Sequence, residues 1–273
     1  MTQLNGIRSE SPLHFKRPGG LFLFDNSKEW AYHLKYSIKL LNREGNPMNE
    51  DREWKDSLYS ELARIGKCLS SPKRLELIDA LSHSPRSVEQ LSRMTGMSVA
   101  NVSQHLQVLY EGRLVQFTKK GNYVIYALAD DGVSDFAVSF RLLAERRLTE
   151  VQRIKAQLMR PYAEMEPITL EALQALMQRG ETLLIDVRPR EEYEQSHIPG
   201  AVSVPFDELE RQLSSLPADV DIVAYCRGPY CVTSAQAVEL LRRRGLRAHR
   251  LEEGVLEWRL FTEEKKGGTN DVA

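Results

Sequence analysis

Two thiols five positions apart, Cys226 and Cys231, lie in the segment YCRGPYC. A cysteine becomes reactive when its thiolate is stabilised, and a loop leaving a strand and entering a helix does this. Its backbone N–H groups converge on the sulfur, and the helix N-terminus adds partial positive charge. The order DIVAY, CRGPYC, VTSAQAVELLRRRG puts Cys226 at such a junction, with a helix expected to begin near Thr233. Arg227 adds to the positive field. Gly228, Tyr230 and Val232 belong to the cradle expected to hold an anion or a persulfide. Cys231 either attacks a Cys226 persulfide, leaving a disulfide or polysulfide bridge, or only fills space under the loop. Spacing leaves both open, because Cα separation and side-chain direction decide bridging. The third cysteine, Cys68, lies near Ile65, Leu69 and Leu75 and reads as a small core residue. Three cysteines in 273 residues make no disulfide framework, so the close pair points to chemistry.

A second group of side chains suits a different task. In SVANVSQHLQVL, Val99, Val102, Leu106 and Leu109 share one helical face expected to turn inward. Ser98, Asn101, Ser103, Gln104 and His105 remain outward, and amide and imidazole groups on such a face can read base edges while hydroxyls hold phosphates. His105 reads equally as a surface or packing residue. Lys119 and Lys120 sit at the tip of a predicted hairpin, within reach of a neighbouring phosphate backbone.

These groups need elements to position them. Leu58, Leu62, Ile65 and Leu69 recur at helical spacing and predict a helix with one buried face. Ser71-Pro72 ends it and starts another, running to His83, since proline suits a first turn. Ser87 with Gln90 is a capping-box pattern opening SVEQLSRMTG, and Ser98 caps the next helix, which ends at Gly112. The period then shortens to two in VQFTKKGNYVIYAL around Gly121-Asn122, a hairpin signature. One long helix is expected over about 135–159, with an apolar seam suited to dimer packing. Pro161 and Pro167 bracket a linker. Beyond it, strands at TLLIDV, AVSV, DIVAY and RAHRL alternate with helical stretches, which predicts an α/β domain with a mostly parallel sheet.

The expected division is therefore an atypical extension over 1–47, a DNA-binding module over 48–160, a linker over 161–167, an α/β domain over 168–262 and a flexible tail over 263–273. Met1 and Met48 are both candidate starts for translation, the second making the extension non-native. A length of 273 residues suits two domains of roughly 100–200 residues each. Composition, 42% hydrophobic and 27% charged, excludes a disordered or fibrous chain. A net charge of −1 neither demands nor excludes a polyanion, although basic residues outnumber acidic ones by four between Arg52 and Ala129. No run approaches the roughly 18 apolar residues of a membrane helix, and the N-terminus has no secretory pattern, so a cytoplasmic location with no membrane partner is expected.

From about Leu58 to Ala129 the succession LSSPKRLELIDAL, SVANVSQHLQVLYEGRLV and the hairpin resembles the ArsR/SmtB family of bacterial repressors. The resemblance implies a mainly α winged helix-turn-helix with a β-hairpin wing, a homodimer, and double-stranded operator DNA as partner. The chain departs from the family's metal sensors: RSVEQLS lacks their Cys-x-Cys motif, and SDFAVSFRLLAERRL lacks histidine. No metal site and no cofactor are indicated. From Ile168 to about Phe261, LLIDVRPREEYEQSHIPGAVSVP, the loop and RLEEGVLEWRL resemble a rhodanese domain. That resemblance implies sulfur accepted on Cys226 as a persulfide from a small donor and passed to an acceptor. Asp186, Arg188 and His197 match its framework motifs and read as structural. Related phosphatases keep Cys-x5-Arg, and here the position after five residues is Val232. Many rhodaneses keep Cys-x4-Arg, and here that arginine is Cys231, which disfavours thiosulfate as substrate. The leading expectation is a dimeric transcriptional regulator whose rhodanese-like domain senses reactive sulfur or redox state. A sulfurtransferase with an accessory helix-turn-helix, or capture of a metalloid by the two thiols, are the alternatives.

Overall fold

The computed structural model describes residues 47–268 except residue 181. The expected extension before Pro47 and the end of the expected tail, 269–273, lie outside the described residues. The described residues fall into two units, divided between Glu61 and Leu62. Helix α1 (Pro47–Leu69) runs across that boundary. The stripe predicted to bury one face of α1 is only half covered: Ile65 and Leu69 are half-buried, whereas Leu58 and Leu62 are exposed. Only the last turns of α1 reach the core of their own unit.

Helices α2 (Pro72–His83), α3 (Val88–Thr95) and α4 (Val99–Glu111) follow, with the expected punctuation. Pro72 stands in the first turn of α2. Ser87 and Gln90 form a full capping box on α3, satisfying two otherwise orphaned N–H groups, and Gly96 ends that helix in the left-handed conformation. The Ser98 side chain accepts from the Asn101 N–H to cap α4. Strands β1 (Arg86–Ser87), β2 (Val115–Lys120) and β3 (Tyr123–Leu128) form an antiparallel sheet in the order β1-β3-β2. Gly121, at φ +59°, makes the hairpin turn that pairs Lys120 with Tyr123. The core of this winged helix-turn-helix contains Leu77, Ile78, Leu91, Val102, Leu106 and Leu109, with Cys68 among them as expected. Gly112 is there because of that thiol: a Cβ would stand 2.5 Å from Cys68 Sγ.

The single helix expected over 135–159 is two, α5 (Asp131–Arg147) and α6 (Thr149–Met159), separated by the extended residue Leu148. The charges in ERRLTE account for the break. Arg146 and Arg147 complement the C-terminal dipole of α5, and Glu150 complements the N-terminus of α6. The seam survives in part, with Phe136, Phe140, Leu143, Ile154 and Leu158 exposed.

After a short 3-10 turn at Arg160–Tyr162, the α/β part comprises α7 (Leu170–Arg179), β4 (Thr182–Asp186), α8 (Arg190–Gln195), β5 (Val202–Ser203) and α9 (Phe206–Gln212). It closes with β6 (Asp221–Tyr225), α10 (Thr233–Arg243), β7 (Ala248–Arg250) and α11 (Val255–Gly268). The four strands are all parallel, in the order β5-β4-β6-β7. Central β6 is an apolar run covered on both faces, as a parallel strand must be. Helix α11 continues to Gly268, past residue 263 where the tail was expected to begin. Among the described residues no helix is long and apolar enough to cross a membrane.

Candidate functional site: a two-thiol loop against the winged helix

Strand β6 ends at Tyr225, and the chain turns through CRGPYCV before entering α10. Tyr225 anchors the strand end, its hydroxyl accepting from the Ile198 N–H at 3.1 Å. Beneath it lies a buried pair: the Asp186 carboxylate accepts from Arg188 Nη2 at 2.6 Å, and Arg188 also donates to the Ser196 carbonyl at 2.7 Å. Both residues order the loops around the site, while His197 is exposed and stacks on Tyr193. Gly254 lets the loop lie close to the chain before α11, since a Cβ there would sit 2.7 Å from the Arg227 carbonyl oxygen.

The two sulfurs face each other. Cys226 Sγ and Cys231 Sγ are 2.7 Å apart, and neither is in a disulfide. Cys226 is 2% exposed, whereas Cys231 is half-buried. Thr233 Oγ1 lies 3.4 Å from Cys231 Sγ. The hydrogen bond from the Cys226 thiol holds Cys231 down at about 5, against the effect of burial, with help from Thr233 and the N–H groups of Thr233 and Arg227. The same hydrogen bond, together with burial, pushes Cys226 up. The pair thus keeps one proton, on Cys226, and presents a thiolate at Cys231.

Charges tie this loop to the winged helix. Arg227 donates to Glu192 of α8 from Nε at 3.0 Å and from Nη2 at 2.6 Å. Glu192 is fully buried and pairs also with Arg86 of β1. The Tyr230 hydroxyl donates to Glu145 of α5 at 2.7 Å, with the Arg141 guanidinium 5.5 Å from the Tyr230 ring centroid. Arg141 pairs with Glu257 of α11, which accepts from the Gly254 N–H at 2.8 Å. Between the loop and helices α2 and α5 opens a cavity of about 810 Å³. Leu75, Ile78, Phe136, Ala137 and Phe140 supply apolar wall, and Cys231 lies on its lining. Asp79 opens onto the same space, and the surrounding protein pushes its carboxyl up.

In the winged helix, α4 presents Ser98, Asn101, Ser103 and Gln104 exposed, with His105 half-buried. Lys119 and Lys120 are exposed on β2. Val102, Leu106 and Leu109 turn inward as predicted, but Val99 is 47% exposed, because the first turn of α4 stands clear of the core.

The profile of bacterial regulatory proteins of the arsR family matches residues 71–116, and that of the rhodanese-like domain matches residues 169–260. The chain is 38% identical over 206 residues to the HTH-type transcriptional regulator Rv0324 of Mycobacterium tuberculosis, an alignment spanning 76% of this chain and 90% of the relative. It belongs to the arsR family of regulators and carries a C-terminal rhodanese-like domain. The second half is also 34% identical over 86 residues to a sulfurtransferase of Allochromatium vinosum, covering 31% of this chain and 78% of that protein. The solution structure of the homodimeric winged helix-turn-helix domain of Mb0332 from Mycobacterium bovis aligns at 31% identity with a TM-score of 0.33, covering 35% of this chain and 89% of that one.

In this arsR-family regulator the loop residues picked out by sequence, Cys226, Arg227, Gly228, Tyr230, Cys231 and Val232, lie together, though with divided tasks. Arg227 is turned to Glu192, Tyr230 reaches α5, Gly228 takes φ +140° beside Glu257, and Val232 caps α10. Sequence reasoning missed Arg86, Glu192, Arg141 and Glu257. Glu192 lies in REEYEQ, which reads as a solvated helix, and nothing in that hexapeptide marks its middle acid as buried.

Proposed function

We propose that this regulator is a homodimeric repressor of double-stranded operator DNA whose affinity is set by reactive sulfur at the Cys226–Cys231 pair. The observation that carries the reading is the 2.7 Å approach of the two sulfurs, in a loop ion-paired through Glu192 to the winged helix. A thiolate and a thiol at that separation are poised to accept sulfane sulfur and close into a bridge. The bridge would shift the loop, and with it Arg227 and Tyr230, the residues through which the loop holds Glu192 and α5.

For DNA, the exposed Ser98, Asn101, Ser103 and Gln104, with half-buried His105 beside them, support entry of α4 into the major groove, with Lys119 and Lys120 of the wing on the flanking backbone. The exposed apolar residues of α5 and α6 support a dimer, since such a patch on a single chain marks an interaction surface.

The test is operator binding by the full chain with and without inorganic polysulfide, beside the Cys226→Ser variant. The reading requires a polysulfide-dependent change in affinity that Cys226→Ser abolishes. Persulfide formation that leaves DNA affinity unchanged supports instead a sulfurtransferase whose helix-turn-helix is accessory.

A further inference from the structure

We infer that Cys231 is the entry thiolate, that Cys226 is the resolving thiol, and that the donor is a hydropersulfide carried on an apolar group, seated in the cavity between the reactive loop and helices α2 and α5. The inference rests on the proposed sulfur response and adds to it the order of the thiols and the class of the donor.

Access decides the order. An attacking sulfur must meet the donor in line with the bond it breaks, and of the two sulfurs only Cys231 belongs to the cavity wall. Cys226 is 2% exposed, and its sulfur lies 2.7 Å from that of Cys231. Charge agrees, because Cys231 is held near 5 while Cys226 keeps the shared proton. A thiolate attacks and a thiol does not.

The cavity decides the donor. Its walls include Leu75, Ile78, Val133, Phe136, Ala137 and Phe140, which favour an alkyl or aryl body. Burial favours the neutral acid at Asp79, and the two arginines on the lining are already engaged, Arg141 by Glu145 and Glu257 and Arg227 by Glu192. The apolar walls therefore favour a donor with an apolar body over a small doubly charged one.

The chemistry closes without a further reagent. The Cys231 thiolate attacks the outer sulfur of R–S–SH, the S–S bond breaks, and R–S⁻ departs to take a proton, leaving a Cys231 persulfide. Cys226 then gives up its proton to the departing hydrosulfide and attacks Cys231 Sγ as the thiolate, giving a Cys226–Cys231 disulfide and hydrogen sulfide. Two thiols are oxidised by two electrons, and the sulfane sulfur is reduced to sulfide. The hydropersulfide is the oxidant.

The experiment follows sulfur uptake by intact mass and released sulfide in the full chain, with benzyl hydropersulfide and inorganic polysulfide as donors. With Cys226→Ala, assayed above the ordinary thiol range where Cys231 is a thiolate without its Cys226 donor, Cys231 should gain one sulfur and keep it, without release of sulfide. With Cys231→Ala, uptake at Cys226 should slow by roughly tenfold or more. Ala144→Phe, which fills the cavity beside the loop, should slow benzyl hydropersulfide more than inorganic polysulfide. Ala137→Phe is the second filling variant, and thermal unfolding verifies that each variant is folded. Prompt uptake by Cys231→Ala with an inert Cys226→Ala overturns the order of the thiols. Equal effects of filling on both donors, or none, overturn the cavity as the donor's route. Failure of the wild-type chain to take sulfur from either donor removes the sulfur reading itself, which is a distinct result.

Discussion

Arg86 of the first wing-sheet strand and Arg227 of the reactive loop hold the same carboxylate, that of the fully buried Glu192. One buried acid thus pairs with a cation from each half of the regulator. Removing it leaves two guanidinium groups with lost partners in a region of little water, which typically costs about 3 kcal/mol or more. Glu192→Gln is expected to lower the unfolding free energy by that order. It is also expected to weaken the dependence of operator affinity on the state of the loop. Denaturant unfolding and titration of operator before and after polysulfide check both; a variant as stable and as responsive as the wild type refutes the link.

The thiol pair makes a second expectation about pH. Because Cys231 is held at about 5 mainly by the hydrogen bond from Cys226, its alkylation by iodoacetamide should be fast and nearly level from weakly acid to alkaline pH. Cys226→Ala deletes the donor, so the alkylation profile of Cys231 should move upward towards the ordinary thiol range. The folded-state value of Cys231 lies below that of an unfolded thiol, so Cys231 contributes stability above the thiol range and loses it as pH falls towards 5, whereas the raised Cys226 loses its contribution as pH rises past the thiol range. An unchanged profile in the variant would falsify the shared proton.

Acid should loosen the contact between loop and winged helix for another reason. His83 at the end of α2 is buried, and its value is lowered to about 3, first by burial and then by the charges of Arg188, Arg227 and Arg86. A histidine disfavoured as a cation in the folded state stabilises fully above its unfolded value near 6.5, and that contribution is lost as pH falls from there towards 3. The slope is about 1.4 kcal/mol per pH unit within the window. His83→Gln should flatten the fall in stability between neutral pH and about pH 5, measured by urea unfolding.

How much of this was legible in the sequence follows from what each signal encodes. Caps and turns are local, so Ser87 with Gln90, Ser98, and Gly121 with Asn122 named their elements correctly. The alternation of strand and helix gave the parallel sheet, and the spacing of the two cysteines gave the loop. The continuous helix over 135–159 was a misreading, because apolar periodicity runs through Leu148 and only the charges on either side reveal the stop. Glu192, Arg86, Arg141 and Glu257 were invisible because their meaning is a partner far along the chain. The burial of Cys226 beside the cavity-facing Cys231 was equally hidden, since spacing does not say which sulfur faces solvent.

Fold and DNA reading should separate cleanly on α4. Leu106 is fully buried in the core, and truncating it to alanine removes apolar contact and leaves a cavity, at a cost of about 2–5 kcal/mol. Asn101 is exposed one turn away, and its backbone N–H, not its side chain, serves the Ser98 cap. Asn101→Ala should therefore leave stability within about 0.5 kcal/mol of wild type. If α4 lies in the major groove, the same change should cost about 1–3 kcal/mol in operator binding and relax preference at one base position. Lys119→Ala and Lys120→Ala should instead weaken binding to all sequences and reduce its salt dependence, as expected for phosphate contacts. Operator titrations at several salt concentrations distinguish the two effects. Should Asn101→Ala and the lysine variants behave alike, the base-reading role of α4 is lost and the wing alone accounts for binding.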